Sequence, residues 1–179
     1  MGCIRSIEYM TDNLDRLLLL GKSDRCHVLT SLPGAPLHHG HIRLLQASSR
    51  LKNEYGFLTV VVNGDGFLLR KKGYVFMPLA ERMEIIAAIA GVDFVVPWDD
   101  GTQFVDGALR LLKPNLFTKG GDRSSPEQMA ACELQACDDI GCRVVYGVGG
   151  SEKIQSSSLL IERLRNQTLH ATAVPSQKT

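Results

Sequence analysis

His38 and His41 stand three residues apart, with Gly40 between them, in the stretch Leu37-His38-His39-Gly40-His41. If that segment opens a helix, the two imidazoles share a face, and the first backbone N–H groups have no intrahelical acceptor. Those groups and the positive end of the helix dipole attract anions, while a glycine lets a ligand approach the backbone closely. The chemistry implied is phosphate binding, with the histidines as hydrogen-bond donors beside it. A surface helix that merely contains histidines carries the same residues, so the surrounding elements have to decide.

The run before the histidines, residues 26–32, is apolar and rich in β-branched residues, as are residues 57–63, 93–97, 115–118 and 143–147. Runs of this kind predict strands covered on both faces. Helical spacing occupies residues 39–55, 79–90, 102–112 and 126–140. Leu44, Leu45, Ser48 and Leu51 are expected to face inward on the first of these, and Met83, Ile86, Ala87 and Ala90 on the second. The alternation predicts an α/β fold: a Rossmann-like, doubly wound, five-stranded parallel sheet of order 3-2-1-4-5 with helices on both faces. A leading helix over 11–20 and a serine-capped final helix over 156–166 complete the reading. The expected organisation is an N-terminal helical extension (1–25), a single catalytic domain (26–167) and a flexible tail (168–179), without repeats.

In that strand order the first and fourth strands lie side by side where the winding reverses, and ligands bind outside their carboxyl ends. The first strand delivers His38 and His41 to this crevice. The fourth delivers Lys119-Gly120-Gly121-Asp122-Arg123, in which the glycines allow a tight turn and Lys119 and Arg123 add positive charge. Alone, this would be an ordinary turn with solvated charges; its convergence with the histidines points to function.

Composition narrows the classes. Twenty Lys+Arg against 19 Asp+Glu leave no broad basic field for nucleic acid or a membrane surface. No apolar run reaches the roughly 18 residues that span a bilayer, and Leu17 to Leu20 is too short for a secretory signal, so a cytoplasmic protein is expected. Five cysteines, with Cys132, Cys137 and Cys142 at five-residue intervals rather than at zinc spacing, read as free thiols. Met1-Gly2-Cys3-Ile4-Arg5-Ser6 fits the N-myristoylation pattern, which is short enough to arise by chance.

His38-His39-Gly40-His41 resembles the HxGH signature of the nucleotidyltransferase superfamily that includes cytidylyltransferases, adenylyltransferases and class I aminoacyl-tRNA synthetases. Further motifs follow in the order seen in D-glycero-D-manno-heptose 1-phosphate adenylyltransferases. These are Val61-Val62-Asn63-Gly64-Asp65, Arg70-Lys71-Lys72-Gly73, Pro78-Leu79-Ala80-Glu81-Arg82-Met83, Val92-Asp93-Phe94-Val95-Val96 and Lys119-Gly120-Gly121-Asp122. Gln155-Ser156-Ser157-Ser158-Leu159-Leu160-Ile161 resembles the Ser/Thr-rich turn that opens the last helix of that family, so the likeness spans residues 26–166. Several motifs in order are far more specific than any one of them.

The resemblance implies that a sugar-phosphate oxygen attacks the α-phosphate of a nucleoside triphosphate and that pyrophosphate leaves. It implies His38, His41 and Lys72 as the catalytic group, acting by positioning and charge stabilisation. Gly40, Arg82, Lys119, Gly120, Gly121, Asp122, Ser156, Ser157 and Ser158 would bind the nucleotide, and Asn63 and Asp65 the acceptor. The partners implied are ATP or CTP, with adenylyl transfer ahead of cytidylyl transfer, a phosphorylated small-molecule acceptor, and further copies of the chain in a homo-oligomer. Mg2+ would accompany the triphosphate, held by phosphates and water rather than by a protein cage. Heptose enzymes often carry a fused sugar kinase, for which this chain has no room, so the acceptor is expected to arrive phosphorylated.

Each residue also has an ordinary role. Lys71 suits a solvated turn, Glu81 and Arg82 a helix start, Asp65 and Asp122 a turn, and the three serines an N-cap. One departure separates the chain from the family pattern G-x-F-D-x-x-H-x-G-H, because Gly34 replaces the Phe and Ala35 the Asp. That change supports a second reading, a degenerate nucleotide-binding protein, and a third, a glycerol-3-phosphate cytidylyltransferase-like enzyme, shares the HxGH and Ser/Thr turns.

Overall fold

The computed structural model describes residues 1–19, 25–121, 123–150 and 157–172. Its strands are β1 (Cys3–Ile4), β2 (His27–Leu32), β3 (Phe57–Asn63), β4 (Phe94–Trp98), β5 (Leu116–Gly120) and β6 (Arg143–Val148). They form one parallel sheet of order β1-β4-β3-β2-β5-β6. Among the described residues the expected count of five is therefore corrected to six. The added strand is the two-residue β1, with Cys3 opposite Phe94 and Ile4 opposite Val95 at the edge. Two residues are too few to carry a periodic signal, so only the pairing reveals it. The five strands read from the sequence occupy the rest of the sheet, and the order reverses between β2 and β5.

The helices are α1 (Ile7–Leu19), α2 (His39–Ser49), α3 (Asp65–Lys72), α4 (Leu79–Ala87), α5 (Asp106–Leu112), α6 (Ala131–Ile140) and α7 (Ser157–Thr172), with a 3-10 turn over Pro126–Gln128. Strand alternation sends neighbouring residues to opposite faces. On one face Leu29, Val61, Val96 and Phe117 meet Met10 and Leu14 of α1, Leu109 and Leu112 of α5 and Ala136 of α6. On the other, Val28, Leu58, Val60 and Val95 meet Leu44 and Leu45 of α2 and Met83, Ile86 and Ala87 of α4. Each of these Val, Leu, Ile, Phe and Met side chains, once fully buried, contributes about 1.5–3 kcal/mol, so these two layers hold the sheet.

Helix ends differ from the sequence reading. α2 stops at Ser49 and α4 at Ala87, which leaves Leu51 39 % exposed and Ala90 outside the core. The segment 102–105 is a turn in which the Thr102 N–H donates to Asp100 Oδ1 at 3.0 Å, so α5 starts only at Asp106. α7 runs on to Thr172, into the range read as tail.

The stretch after β3, where the sequence suits a solvated turn at Lys71, holds α3. Its glycines and weak amphipathicity hide a helix whose support is tertiary. Asp99 Oδ2 accepts the Phe67 N–H at 3.0 Å in the first turn, and Phe67 and Leu68 pack on Ala35. An isolated eight-residue helix would be marginal in water, so this packing decides its existence.

Candidate active site

A cleft of about 970 Å³ opens at the carboxyl ends of β2 and β5, where the strand order reverses. His38, Gly40, His41, Asn63, Lys72, Lys119, Gly120, Gly121 and Ser157 all line it. Asp122 and Ser156 lie outside the described residues, as does the side chain of Ser158.

His38 is the N-cap of α2, in extended conformation (φ −149°, ψ 170°), and His41 is at the third helical position. Their rings stack with centroids 3.8 Å apart. The His38 backbone N–H donates to Nδ1 of His41 at 3.3 Å, which assigns a lone pair to Nδ1. Burial, with the charges of His38 and Lys72 added, pushes the His41 imidazole down to about 3. His41 is therefore neutral near pH 7 with its proton on Nε2, as a donor at the mouth of the helix. The sequence left this protonation state open; the capping hydrogen bond decides it.

The segment between β2 and α2 is fastened from two sides. Lys72 Nζ, at the end of α3, donates to the Ala35 carbonyl at 2.9 Å, and Ser157 Oγ, at the start of α7, donates to the Pro36 carbonyl at 2.9 Å. Burial and the nearby charges of Lys71 and Arg82 lower the Lys72 pKa. Gly34 adopts φ 61°, a left-handed conformation that a phenylalanine would strain to reach, and Ala35 is buried against α3. The Gly34-Ala35 departure thus belongs to a loop packed by its backbone.

Two expected ligand contacts are committed elsewhere. Arg82 is fully buried and does not line the cleft. Its Nε donates to Met77 O at 2.9 Å, Nη1 to Pro33 O at 2.5 Å and Asn63 O at 2.7 Å, and Nη2 to Asp65 Oδ1 at 2.6 Å. The physical reason is position: Arg82 lies on the core-facing stripe of α4 beside Met83, under the ends of β2 and β3. Asp65, expected to bind substrate, receives Arg82 and the Leu79 N–H (3.3 Å) and is likewise absent from the cleft wall. Both residues hold the floor of the site.

Lys119 is 8 % exposed and Glu133, on α6, is 5 % exposed, and Lys119 Nζ donates to Glu133 Oε2 at 2.9 Å. Burial lowers the Lys119 pKa and the Glu133 charge opposes the shift. The sequence reading missed Glu133, although it left a trace: a carboxylate on the same stripe of α6 as Ala136 and Cys137, which are buried. It also missed Gln103, Phe104 and Gly149, which line the cleft from loops without periodic signal. A Cβ on Gly149 (φ 89°) would lie 2.8 Å from the backbone of Arg43 and Leu44, so glycine is what lets the turn after β6 touch α2.

Among the described residues, no three His, Cys, Asp or Glu side chains form a group able to hold a metal ion, and no helix is long and apolar enough to cross a membrane.

The sequence profile of the cytidylyltransferase-like family matches residues 35–141. The chain is 34 % identical over 132 residues to the bifunctional protein HldE of Desulfatibacillum aliphaticivorans, covering 73 % of this chain and 25 % of that protein. It is 35 % identical over 141 residues to the HldE of Halorhodospira halophila, covering 73 % and 26 %. The chain thus spans about a quarter of the length of these relatives. Among solved structures, a lipopolysaccharide core biosynthesis protein from Thermoplasma volcanium superposes with a TM-score of 0.54 at 25 % identity, over 69 % of this chain and 95 % of that one. A pantoate-β-alanine ligase from Francisella tularensis has the same fold, with a TM-score of 0.57 at 15 % identity over 82 % and 66 %. With the profile covering more than half of its length, from the loop before the paired histidines to the end of α6, this chain belongs to the cytidylyltransferase-like family.

Proposed function

We propose that this protein is a nucleotidyltransferase that joins a nucleoside monophosphate, AMP ahead of CMP, to a heptose 1-phosphate-like acceptor. The observation that carries the reading is His41: a neutral imidazole with Nδ1 capped by the His38 N–H and an Nε2–H donor at the start of α2, on the same cleft as Lys72 and Ser157. An acceptor phosphate oxygen forms a bond to the α-phosphorus as the bond to the pyrophosphate oxygen breaks. Negative charge gathers on the oxygens around that phosphorus. His38 and His41 donate to those oxygens, Lys72 exchanges its Ala35 carbonyl for phosphate, and the backbone of Gly40 and of Gly120-Gly121 lets the chain approach closely. Asn63 and Ser157 complete the polar lining, and Ser156, Ser158 and Asp122 extend it by family likeness. Mg2+ enters as part of the substrate, bound to the triphosphate oxygens. The described cysteines are free thiols, in keeping with a reducing, cytoplasmic setting.

The test is pyrophosphate release with Mg2+, pairing ATP, CTP, GTP and UTP with heptose 1-phosphate, other sugar 1-phosphates and glycerol 3-phosphate. Release requiring both ATP and heptose 1-phosphate is expected. Release with CTP and glycerol 3-phosphate alone would move the chain to the glycerol-phosphate reading. Nucleotide binding without release from any pair would make it a binding protein, the reading that Ala35, lacking the family carboxylate, favours.

A further inference from the structure

The lining of the cleft comes from both faces of the sheet, and the part over each face is termed a lobe. His38, His41 and Ser157 border the lobe over the α2 face. Gln103, Phe104, Lys119 and Glu133 border the lobe over the face covered by α5 and α6. Strand alternation makes this division: Thr118 turns to α2, with its Oγ1 2.7 Å from Ser48 Oγ, while Phe117 and Lys119 turn the other way.

The second lobe holds a buried ion pair, Lys119 with Glu133, in a place that an apolar pair could fill. Phe117, Ala136 and Cys137 already pack α6 against β5 through apolar contacts, and a hydrophobic pair of similar volume would serve the core at least as well as Lys119 and Glu133. Its groups are only partly used. Glu133 accepts the Val105 N–H (3.3 Å) on Oε1 and Lys119 on Oε2, so each carboxylate oxygen keeps a further lone pair. Among the described residues, Glu133 is the one hydrogen-bond acceptor of Lys119 Nζ, which has three donors. The pair is also neutral as a unit. A carboxylate beside the ammonium lowers the positive potential that Lys119 by itself would offer a triphosphate, leaving Arg123 beside it as a cation on the cleft, and it suits uncharged hydroxyls that both donate and accept.

We propose that this lobe is the acceptor subsite, where Lys119, Glu133 and the Gln103 amide hold the hydroxyls of a sugar phosphate and the half-exposed Phe104 ring covers its body. Lys119 is then a specificity residue for the acceptor rather than a nucleotide contact. The proposal rests on the nucleotidyltransferase reading for the direction of transfer, and on the ion pair for its place. Lys119 adjoins Gly120-Gly121 at the end of β5, so a sugar seated here brings its phosphate to that turn, towards the histidines on the neighbouring β2–α2 connection.

The experiment compares the full chain with Glu133→Gln, which preserves shape and removes the charge, and Gln103→Ala, which alters an exposed turn. Two readouts are used, steady-state kinetics and saturation-transfer NMR with heptose 1-phosphate and mannose 1-phosphate as probes. Glu133→Gln is expected to raise the KM for the sugar phosphate by about tenfold or more, because a charged hydrogen-bond partner is lost. Gln103→Ala is expected to raise it by roughly threefold, and both should leave the KM for ATP within about twofold. Saturation transfer to the sugar-ring protons should fall in both variants. An unchanged sugar-phosphate KM, or ATP and sugar-phosphate KM values rising in parallel, overturns the subsite. If the unaltered chain turns over no sugar phosphate, the transferase reading fails and the NMR still decides the subsite. Ring signals lost in the variants then support it, and signals retained in the variants, or absent from the unaltered chain, overturn it. Should Glu133→Gln not fold, Gln103→Ala carries the same comparison.

Discussion

Arg82→Met tests whether the buried guanidinium is a clamp or a ligand contact. The substitution keeps most of the apolar stem and removes donors to Met77 O, Pro33 O, Asn63 O and Asp65. Losing one member of a buried ion pair costs about 3–5 kcal/mol, and a buried carbonyl left without a donor costs about 1–3 kcal/mol. These terms overlap, because they describe one network. The Asp65 side chain is 42 % exposed, so water recovers part of its loss and the lower end applies to that pair. A net destabilisation of about 4 kcal/mol follows. For a domain of this size each kcal/mol moves Tm by about 2–4 °C, so Tm should fall by about 8–16 °C. Arg82→Lys, which keeps the charge but reaches fewer acceptors, should lose about half as much. Thermal unfolding followed by circular dichroism measures both, and the KM for ATP is then taken well below the lowered Tm. A Tm within about 2 °C of the unaltered protein, together with a KM for ATP raised tenfold, would refute the clamp and return Arg82 to the nucleotide.

His41→Ala should lower kcat by about 10² to 10³ with the fold retained, as removal of a transition-state donor does, and near-normal turnover in pyrophosphate release would remove His41 from the site. Burial holds His27 and His41 down to about 3, so the unfolded chain takes up protons near pH 6.5 that the folded chain refuses. Their stabilising contribution is complete above pH 6.5 and is lost as pH falls towards 3, at about 1.4 kcal/mol per pH unit for each histidine. Urea unfolding between pH 6 and pH 4 should therefore show a steep loss that His41→Asn reduces by about that one-histidine slope; an unchanged slope would contradict the assigned neutral state. Gly149→Ala would place a Cβ 2.8 Å from the backbone of α2 in a left-handed conformation, and should cost about 1–3 kcal/mol and reduce turnover by moving α2. Lys72→Ala should chiefly raise the KM for the triphosphate, and unchanged kinetics would exclude it from the cleft chemistry.

Much of this architecture is written locally. The apolar, β-branched runs of β2 to β6 are consecutive residues whose strand character, strongest in the doubly covered β2, β3 and β5, does not depend on a particular partner, so the parallel sheet and the reversal beside His38 and His41 follow from the sequence. The meeting of His38 and His41 with the Gly120-Gly121 turn on one cleft follows from the same order of elements, whereas the sequence assigns Lys72 and Ser157 to it only through the family resemblance. What the sequence could not contain is the identity of distant partners. β1 exists only because β4 offers an edge, and α3 only because Asp99 and Ala35 receive it. Arg82 looks like any cation at a helix start until Pro33, 49 positions away, supplies its acceptor. Glu133 looks like a surface carboxylate until β5 turns Lys119 towards it, and the His41 tautomer awaits a backbone N–H that only the N-cap geometry aims. Periodicity encodes which face of an element is buried, whereas hydrogen-bond partners and protonation depend on distances that arise only when the elements pack.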